Sequence, residues 1–453
     1  MKKPIITILG TGYVGLTTAA IFAAAGIKTY VVDTNDERLD SVRRGKSFFY
    51  EQGLDPIIAA GLAANMLIPT TSYADSVAHS DIVFSAVGTP DNPDGSSNLR
   101  YIFAAATEAA LYLKPGAIYV QKSTVPVGTG AKVKEVFAKA KLPVAYVSNP
   151  EFLRESTAVL DSLWFDRIVV GGEDQAGLES VKAAYRLVEE SRLAIAKLAG
   201  ITAPAVMPAG DYITVNLESA ELVKVVSNAF LALKISFANS IAFLADKSGA
   251  DVMQVLDTVG RDRRIGQAFL NAGRGYGGGC FPKDVSGLIA AGLEQGVDLG
   301  IMRQAQSVNE SMPGYIIEKL QDALGGSLKQ RRITVLGLSF KAGTSDVRRS
   351  PAIAIANTLA ERGAEVATFD PQSNKESSPL LDEPVTIAST IESALSGADA
   401  VIVATGWPEF ISYGAKNYAA KLSGTIFVDA MNCFDIQDIT AAGLQYLGVG
   451  RSA

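Results

Sequence analysis

The feature that most constrains this chain is an alternation that begins at once. A β-branched run at residues 5–9 leads through a glycine turn to a helical pattern at 14–25 and then to a second run at 29–32. Further short apolar runs follow at 82–87, 117–120 and 144–147. Runs this short, separated by helix-length patterns, predict a parallel sheet covered by helices on both faces. The order returns late in the chain, where Arg332-Ile333-Thr334-Val335-Leu336-Gly337 echoes residues 5–10 and residues 365–370 echo 28–33. Between the two, residues 217–247 contain neither proline nor glycine and repeat apolar side chains at helical spacing. That predicts one long helix or two in line, with more helix through residue 320. An exposed apolar stripe on such a spine would pair two subunits.

The expected architecture is α/β, with two Rossmann-like doubly wound domains joined by a central helical domain on the long spine helix. The expected bounds are 1–210, 211–325 and 326–453, in keeping with 453 residues at roughly 150 per domain. A net charge of −6 argues against a nucleic-acid partner. The apolar stretch at 19–25 is far short of a membrane span of about 20 residues, and no signal-peptide cleavage pattern follows Met1, so a soluble cytoplasmic protein is expected. Cys280 and Cys433 cannot make a disulfide framework or a four-cysteine metal site, and no metal is expected. The single histidine, His79, reads as a surface residue closing a helix. Acid–base chemistry must then come from carboxylates, lysines, water or a thiol.

Gly10-Thr11-Gly12-Tyr13-Val14-Gly15 follows a predicted strand and opens a predicted helix, and Asp33 ends the next strand 18 residues after Gly15. Gly10 permits the turn, Gly12 lets backbone approach a pyrophosphate, and Gly15 lets helix and strand pack closely. The helix N-terminus attracts the phosphates, and Asp33 accepts from ribose hydroxyls while repelling a 2′-phosphate. NAD is therefore the expected cofactor, although Arg38 is near enough to accommodate a phosphate. The later turn, Gly337-Leu338-Ser339-Phe340-Lys341, lacks the glycine series; a lysine there suits a phosphate-bearing ligand.

Gly275-Tyr276-Gly277-Gly278-Gly279-Cys280-Phe281-Pro282-Lys283-Asp284 is the densest chemical signal. The glycines suit close approach of a ligand, and Pro282 suits the start of a helix predicted to run to residue 293. That places Cys280 before a helix N-terminus, where the dipole and Lys283 favour a thiolate. Cys433 has no such setting and reads as structural. A nicotinamide site beside a nucleophilic thiol suits oxidation of an aldehyde onward to an acid through a thioester.

Several strings, in order, resemble the nucleotide-sugar 6-dehydrogenases of the UDP-glucose/GDP-mannose dehydrogenase family over nearly the whole chain. They are the residue 10–16 turn, Lys122-Ser123-Thr124-Val125-Pro126-Val127-Gly128-Thr129, Asn149-Pro150-Glu151-Phe152-Leu153-Arg154-Glu155, Ser219-Ala220-Glu221-Leu222-Val223-Lys224 with Asn228-Ala229-Phe230, Asp262-Arg263-Arg264-Ile265-Gly266, the cysteine string and Phe340-Lys341. The resemblance implies a four-electron oxidation of UDP-glucose to UDP-glucuronate with two NAD. It implies that Thr124 and Asp284 hold the water that takes the first proton, and that Lys224 assists and steadies an oxyanion, with Asn228 donating a hydrogen bond beside it. Cys280 would form the thiohemiacetal and thioester, and Glu151 would act in hydrolysis. Cofactor contacts map to Gly10, Gly12, Tyr13, Val14, Gly15, Asp33, Arg38, Thr89, Thr124, Glu155, Lys283 and Arg348. Substrate contacts map to Glu151, Phe152, Leu153, Lys224, Asn228, Arg264, Phe269, Gly275, Tyr276, Phe340 and Lys341. The family's Arg264 reaches a neighbouring subunit, which implies a homodimer or larger homo-oligomer.

Lys224 and Asn228, four apart on the predicted helix, share a face. Glu151 and Glu155 have the same spacing, with Pro150 leaving open whether they lie on a helix. Three departures stand out. Gly279 replaces the usual serine, which is expected to loosen the loop. Met431, in Asp429-Ala430-Met431-Asn432, replaces an arginine that contacts substrate. Residues 188–211 are longer than usual. GDP-mannose and UDP-N-acetylhexosamines are the alternative substrates, and a non-catalytic NAD-binding regulator is the alternative outside enzymes.

Overall fold

The computed structural model describes residues 3–208 and 210–452; Met1, Lys2, Ala209 and Ala453 lie outside the described residues. Packing gathers the chain into two compact units, Met1–Ser227 and Asn228–Ala453. The first holds an eight-stranded sheet of β1 (Ile6–Leu9), β2 (Thr29–Val32), β3 (Leu67–Thr70), β4 (Ile82–Ser85), β5 (Ile118–Gln121), β6 (Ala145–Ser148), β7 (Arg167–Gly171) and β8 (Asp211–Val215). Its order is β3-β2-β1-β4-β5-β6-β7-β8, and every pairing is parallel except β6 with β7. The second holds β9 (Arg332–Leu336), β10 (Glu365–Phe369), β11 (Thr386–Ile387), β12 (Ala400–Val403), β13 (Ile426–Asp429) and β14 (Gln445–Gly448) in the order β11-β10-β9-β12-β13-β14, all parallel.

The expected strands form within a residue or two of the sequence reading, and the reason is visible in the cores. Along β4, β5 and β6, Phe84, Val120 and Val147 join one buried cluster while Val83, Tyr119 and Tyr146 join another. Successive side chains point to opposite faces, so both faces are dry. The second sheet repeats this, with Val335, Ile402 and Val428 in one cluster and Leu336, Val401 and Phe427 in the other.

Residues 188–211 gain an account. The helix Gln175–Ala199 runs through the first half of the segment and ends at Gly200, whose φ is 66°. After an irregular stretch, the segment delivers β8 as an edge strand beside β7. Neither β7 nor β8 is among the strands expected from the sequence, although Ile168-Val169-Val170 is a β-branched run of the same kind as the others.

The helical middle contains the helices Leu217–Ser248, Val252–Gly260, Phe281–Glu294 and Gly300–Ala323. The first is one continuous helix of 32 residues, long and apolar enough by composition to cross a membrane. One side of it packs against protein, with Ala229 and Ala232 against Tyr276, Val285 and Ile289, while Leu222, Val226, Phe230, Phe237 and Leu244 are exposed. Its buried face also carries Glu221, Lys224, Asn228 and Asn239. Cys433, half-buried and 3.6 Å from Asp429, is structural as expected, and exposed His79 closes a short 3-10 turn.

Within the first unit, Glu221 fixes the start of the helix Thr129–Lys139. One carboxylate oxygen accepts from Gly128 N at 2.7 Å and the other from Gly130 N at 2.6 Å. These satisfy donors that a helix leaves open at its N-terminus, and no side chain of that helix does so. Glu221→Ala is expected to cost about 2 to 6 kcal/mol, from roughly 1 to 3 for each of two donors left unpaired. Chemical denaturation checks this, and an unchanged midpoint contradicts it.

Candidate active site

In the first unit, every residue named from the sequence up to Glu155 lies at or just beyond the C-terminal end of a parallel strand, except those that open the helix after β1 and Arg38 in the helix after β2. Gly10 follows β1, Asp33 follows β2, Thr89 follows β4, Thr124 follows β5, and Glu151 to Glu155 follow β6. Ligands of open parallel sheets bind outside these ends, at the point where strand order reverses, here between β1 and β4.

The turn after β1 has the geometry the glycine series requires. Gly10 has φ 99°, and a Cβ on Gly15 would lie 2.0 Å from Gly10 O. Nothing lies within 4 Å of a Cβ placed on Gly12. The helix Tyr13–Ala24 that follows carries no side-chain cap, so its first N–H groups are open to an anion. Asp33 Oδ2 accepts from Thr11 N at 2.8 Å and from the Thr11 hydroxyl, while Oδ1 accepts from Asn35 N at 2.9 Å. A carboxylate has about four acceptor positions, so capacity for a ribose remains. Arg38 lies 3.9 Å from Asp33 and stacks 5.0 Å from the Phe48 ring centre. The residues therefore fit a dinucleotide.

Tyr13 does more than occupy the turn. Its hydroxyl donates to Glu51, whose other oxygen accepts from Val159 N at 3.2 Å. Burial pushes the Glu51 carboxyl up. Glu51 was not singled out from the sequence; it ties the dinucleotide turn to the segment after β6. That segment, residues 150–157, is not helical, so Glu151 and Glu155 do not share a helix face. Ser156 within it has φ 69°.

Behind the segment lies a buried cluster of charge. Glu151 Oε1 pairs with Lys224 Nζ at 2.9 Å, and Glu151 Oε2 accepts from Leu153 N at 2.6 Å. Lys122 is also buried and donates to Tyr185 Oη at 2.8 Å; Tyr185 donates to Asn149 Oδ1 at 2.7 Å, and Asn149 Nδ2 to Val169 O at 2.8 Å. Burial raises the Glu151 carboxyl, but Lys224 and then Lys122 outweigh it, so the carboxyl sits below its ordinary range. Burial pulls Lys122 down to about 8, against the attraction of Glu151. Phe152 stacks 3.9 Å from the Arg167 guanidinium and 5.6 Å from the Lys224 ammonium, with Leu153 half-buried beside it. Lys122 and Asn149 stood inside motif strings without a role, and Tyr185, on the helix Gln175–Ala199, carried no local signal.

In the second unit, Cys280 is exposed, outside any disulfide, and occupies the N-cap of the helix Phe281–Glu294 without capping it through its side chain. Asp284 is buried one turn on; its Oδ2 accepts from Asn228 Nδ2 at 2.6 Å and its Oδ1 from Lys283 Nζ at 2.6 Å. Two expectations change here. The Asn228 amide is committed to Asp284, and the Lys283 ammonium is paired with the same carboxylate, which tempers its pull on a thiolate. The helix dipole remains for Cys280.

The glycines upstream are demanded by close packing. Gly275 has φ 93°, and a Cβ there would lie 2.5 Å from Asn309 Oδ1, which accepts from Tyr276 N at 2.7 Å. A Cβ on Gly279 would lie 2.4 Å from Arg348 Cζ. Glycine in place of serine thus gives room to the Arg348 guanidinium, which also pairs with Asp346 at 2.6 Å, and the expected loosening is replaced by a closer approach. Phe269, at φ 64°, and Tyr276 lie 5.9 and 6.0 Å from the Phe281 ring centre. Arg264 is exposed and pairs with Asp262. Lys341 and Phe340 follow β9, half-buried, and Met431 follows β13.

The turn after β9 differs from its counterpart after β1. Asp370, at the end of β10, is filled: Oδ2 accepts from Leu338 N, Ser339 N, Ser339 Oγ and Trp407 Nε1 at 2.7 to 3.1 Å, and Oδ1 from Gln372 N and Ser373 N at 2.9 Å. It holds its own turn, leaving little for a ribose.

A doubly wound sheet with an open glycine turn at the C-terminal end of its first strand defines a protein of the dinucleotide-binding class. Sequence models of the UDP-glucose/GDP-mannose dehydrogenase family match throughout: the NAD binding domain at residues 4–189, the central domain at 218–311 and the UDP binding domain at 334–436. The chain belongs to this family; it is an NAD-dependent dehydrogenase. It is 36% identical to UDP-glucose 6-dehydrogenase YwqF of Bacillus subtilis (strain 168), over 99% of this chain and 98% of that one. A UDP-glucose dehydrogenase from Pyrobaculum islandicum superposes with a TM-score of 0.86 at 35% identity, covering 100% of this chain and 98% of the other. A UDP-D-ManNAc dehydrogenase from Pyrococcus horikoshii gives 0.84 at 25% identity, covering 98% and 99%.

The Lys122 environment has a measurable consequence. Its proton is held more weakly in the native state than in the unfolded chain, so between about pH 8 and the ordinary lysine range the unfolded state binds more protons and stability rises with pH. Lys122→Met removes that dependence. Relative to wild type it is expected to be more stable at pH 7 than at pH 10, the difference changing by on the order of 3 kcal/mol. Denaturation across this range checks the sign, and a pH-independent difference contradicts it.

Proposed function

We propose that this chain oxidises the C6 alcohol of UDP-glucose to the carboxylate of UDP-glucuronate, with Cys280 as the nucleophile. The observation that carries the reading is an exposed thiol at an uncapped helix N-terminus, one turn from a buried carboxylate. Alcohol oxidation alone needs no thiol, whereas oxidation past the aldehyde gains from one. NAD, when bound, supplies the hydride acceptor, two molecules for each sugar.

Loss of the first hydride and a hydroxyl proton gives the aldehyde, with Asp284 and Thr124 serving that proton transfer. The Cys280 thiolate adds to the aldehyde carbon, and loss of a second hydride from the same carbon leaves a thioester. Water then cleaves the carbon–sulfur bond, returning the thiol and releasing the acid. Lys224, joined by the second N–H of Asn228 while the first is given to Asp284, stabilises negative charge on the reacting oxygen as that charge develops. Glu151, held as an anion by Lys224, serves the hydrolytic step.

We assign Gly10, Gly12, Tyr13, Val14, Gly15, Asp33, Arg38, Thr89, Thr124, Glu155, Lys283 and Arg348 to the cofactor. Phe152, Leu153, Lys224, Asn228, Arg264, Phe269, Gly275, Tyr276, Phe340 and Lys341 are assigned with Glu151 to the substrate. We take residues 1–210, 211–325 and 326–453 as the working domains of a cytoplasmic enzyme, placed where NAD and nucleotide sugars are made. Leu222, Val226, Phe230, Phe237 and Leu244 leave an exposed apolar stripe along one helix at intervals of four and seven, which suits a second copy of the chain. Sedimentation as a monomer at micromolar concentration contradicts that dimer.

Met431, in place of an arginine expected against UDP-glucose, keeps open a second reading, that the sugar nucleotide is GDP-mannose or a UDP-N-acetylhexosamine. NADH formation with UDP-glucose, UDP-N-acetylhexosamines and GDP-mannose separates these. UDP-glucose is expected to be preferred and to yield two NADH per sugar, with turnover lost by about three orders of magnitude in Cys280→Ser. Preference for another sugar overturns the substrate, and undiminished turnover in that variant overturns the thiol's role.

A further inference from the structure

The largest fully buried side chain among the described residues is a cation that the proposed reaction does not use. Arg274 is 1% exposed and directly precedes the glycine loop that ends at Cys280. Its Nη2 donates to Ser339 O at 3.0 Å, Phe340 O at 2.8 Å and Thr405 Oγ1 at 3.2 Å, and its backbone N donates to Ala430 O at 2.8 Å. Nε and Nη1 have no partner among the described residues. Asp370 is the carboxylate whose charge it feels, but the oxygens of that residue are taken by the turn and by Trp407.

Arg274 thus spans the place where the second sheet reverses its strand order. Ser339 and Phe340 follow β9, Thr405 follows β12, and β9 and β12 are the neighbours at the reversal. This is where an open α/β sheet receives its ligand. The glycine loop is locked to the same turn by packing: a Cβ on Gly278 would lie 2.9 Å from the Phe340 ring, and Gly278 N donates to Arg348 O at 2.9 Å. Burying a guanidinium with two donors open is costly, and a merely apolar plug would fill the space more favourably.

We propose that Arg274 is a positioning residue that couples nucleotide occupancy of the turn after β9 to the conformation and reactivity of the Cys280 loop. The coupling runs through one side chain, since the same guanidinium holds the carbonyls of the turn and is anchored in the loop that presents the sulfur. This rests on the reading that the second unit takes the nucleotide of the substrate.

The test is the rate of Cys280 alkylation by iodoacetamide, read on the Cys280 peptide by mass, with and without saturating UDP. UDP binding is measured by calorimetry on the same full-length proteins. In wild type, UDP is expected to change the rate by roughly 2- to 30-fold, the usual size of such couplings. Arg274→Met is expected to bring that ratio close to one, and Arg274→Lys, which keeps the charge but cannot reach three acceptors, to reduce it. Thr405→Val, losing one acceptor, provides a milder variant that keeps the test usable if the others fail to fold. If UDP covered the sulfur directly, the ratio would survive in all three variants, and that result overturns the proposal. Wild type that binds UDP with no change in alkylation also overturns it, while wild type that binds no UDP overturns both it and the substrate reading.

Discussion

Because β1 to β6 all pair in parallel, the chain must return from the end of each by a crossover, and the residues that follow these six strands emerge on one edge of the sheet. That single geometric rule distributes the chemistry. Gly10, Asp33, Thr89, Thr124 and Glu151 are far apart in sequence, yet each follows a strand of the same sheet at its C-terminal end. The second sheet applies the rule to Lys341 and Met431, with β9 and β12 in the places of β1 and β4. The two sheets share a plan but differ at their acids. Asp33 retains acceptor capacity, whereas Asp370 is consumed by its own turn, in keeping with different ligands for the two halves.

The buried charges show where folding yields to function. Glu151 and Lys224 are both nearly inaccessible and 2.9 Å apart, and Lys122 adds a second buried cation nearby. Ion pairs of this kind contribute little to stability and are often matched by apolar side chains of similar volume. In the proposed reaction their worth is an ammonium and a carboxylate held ready, without reorganisation, where charge develops. Glu51 under Tyr13 and Arg274 behind the thiol loop belong to the same pattern: polar groups taken out of water to fix a segment that carries chemistry.

Much of this was legible in the sequence because it depends on local rules. The strand runs, the glycine series and the long uninterrupted helix follow from sterics and periodicity, so β1, β2 and the helix Leu217–Ser248 fell where expected. What escaped notice depends on contacts between distant residues. Tyr185 meets Lys122 across 63 positions, and Arg274 meets Thr405 across 131. The Asn228 amide, four residues from Lys224, shares its face but turns to Asp284, a choice that helical spacing cannot encode. Gly279 stands where a side chain is expected because the Arg348 guanidinium lies against its backbone, a contact 69 positions away in sequence.

In the proposed reaction the sulfur at Cys280 becomes covalently bonded to the sugar partway through each turnover. Rapid acid quenching of a single turnover with UDP-glucose and excess NAD, followed by the mass of the Cys280 peptide, reads that bond. A transient mass increase on this peptide, matching the acyl form of the substrate and decaying as acid appears, is expected. Acid formed while the peptide stays unmodified at every time point would contradict the thioester route.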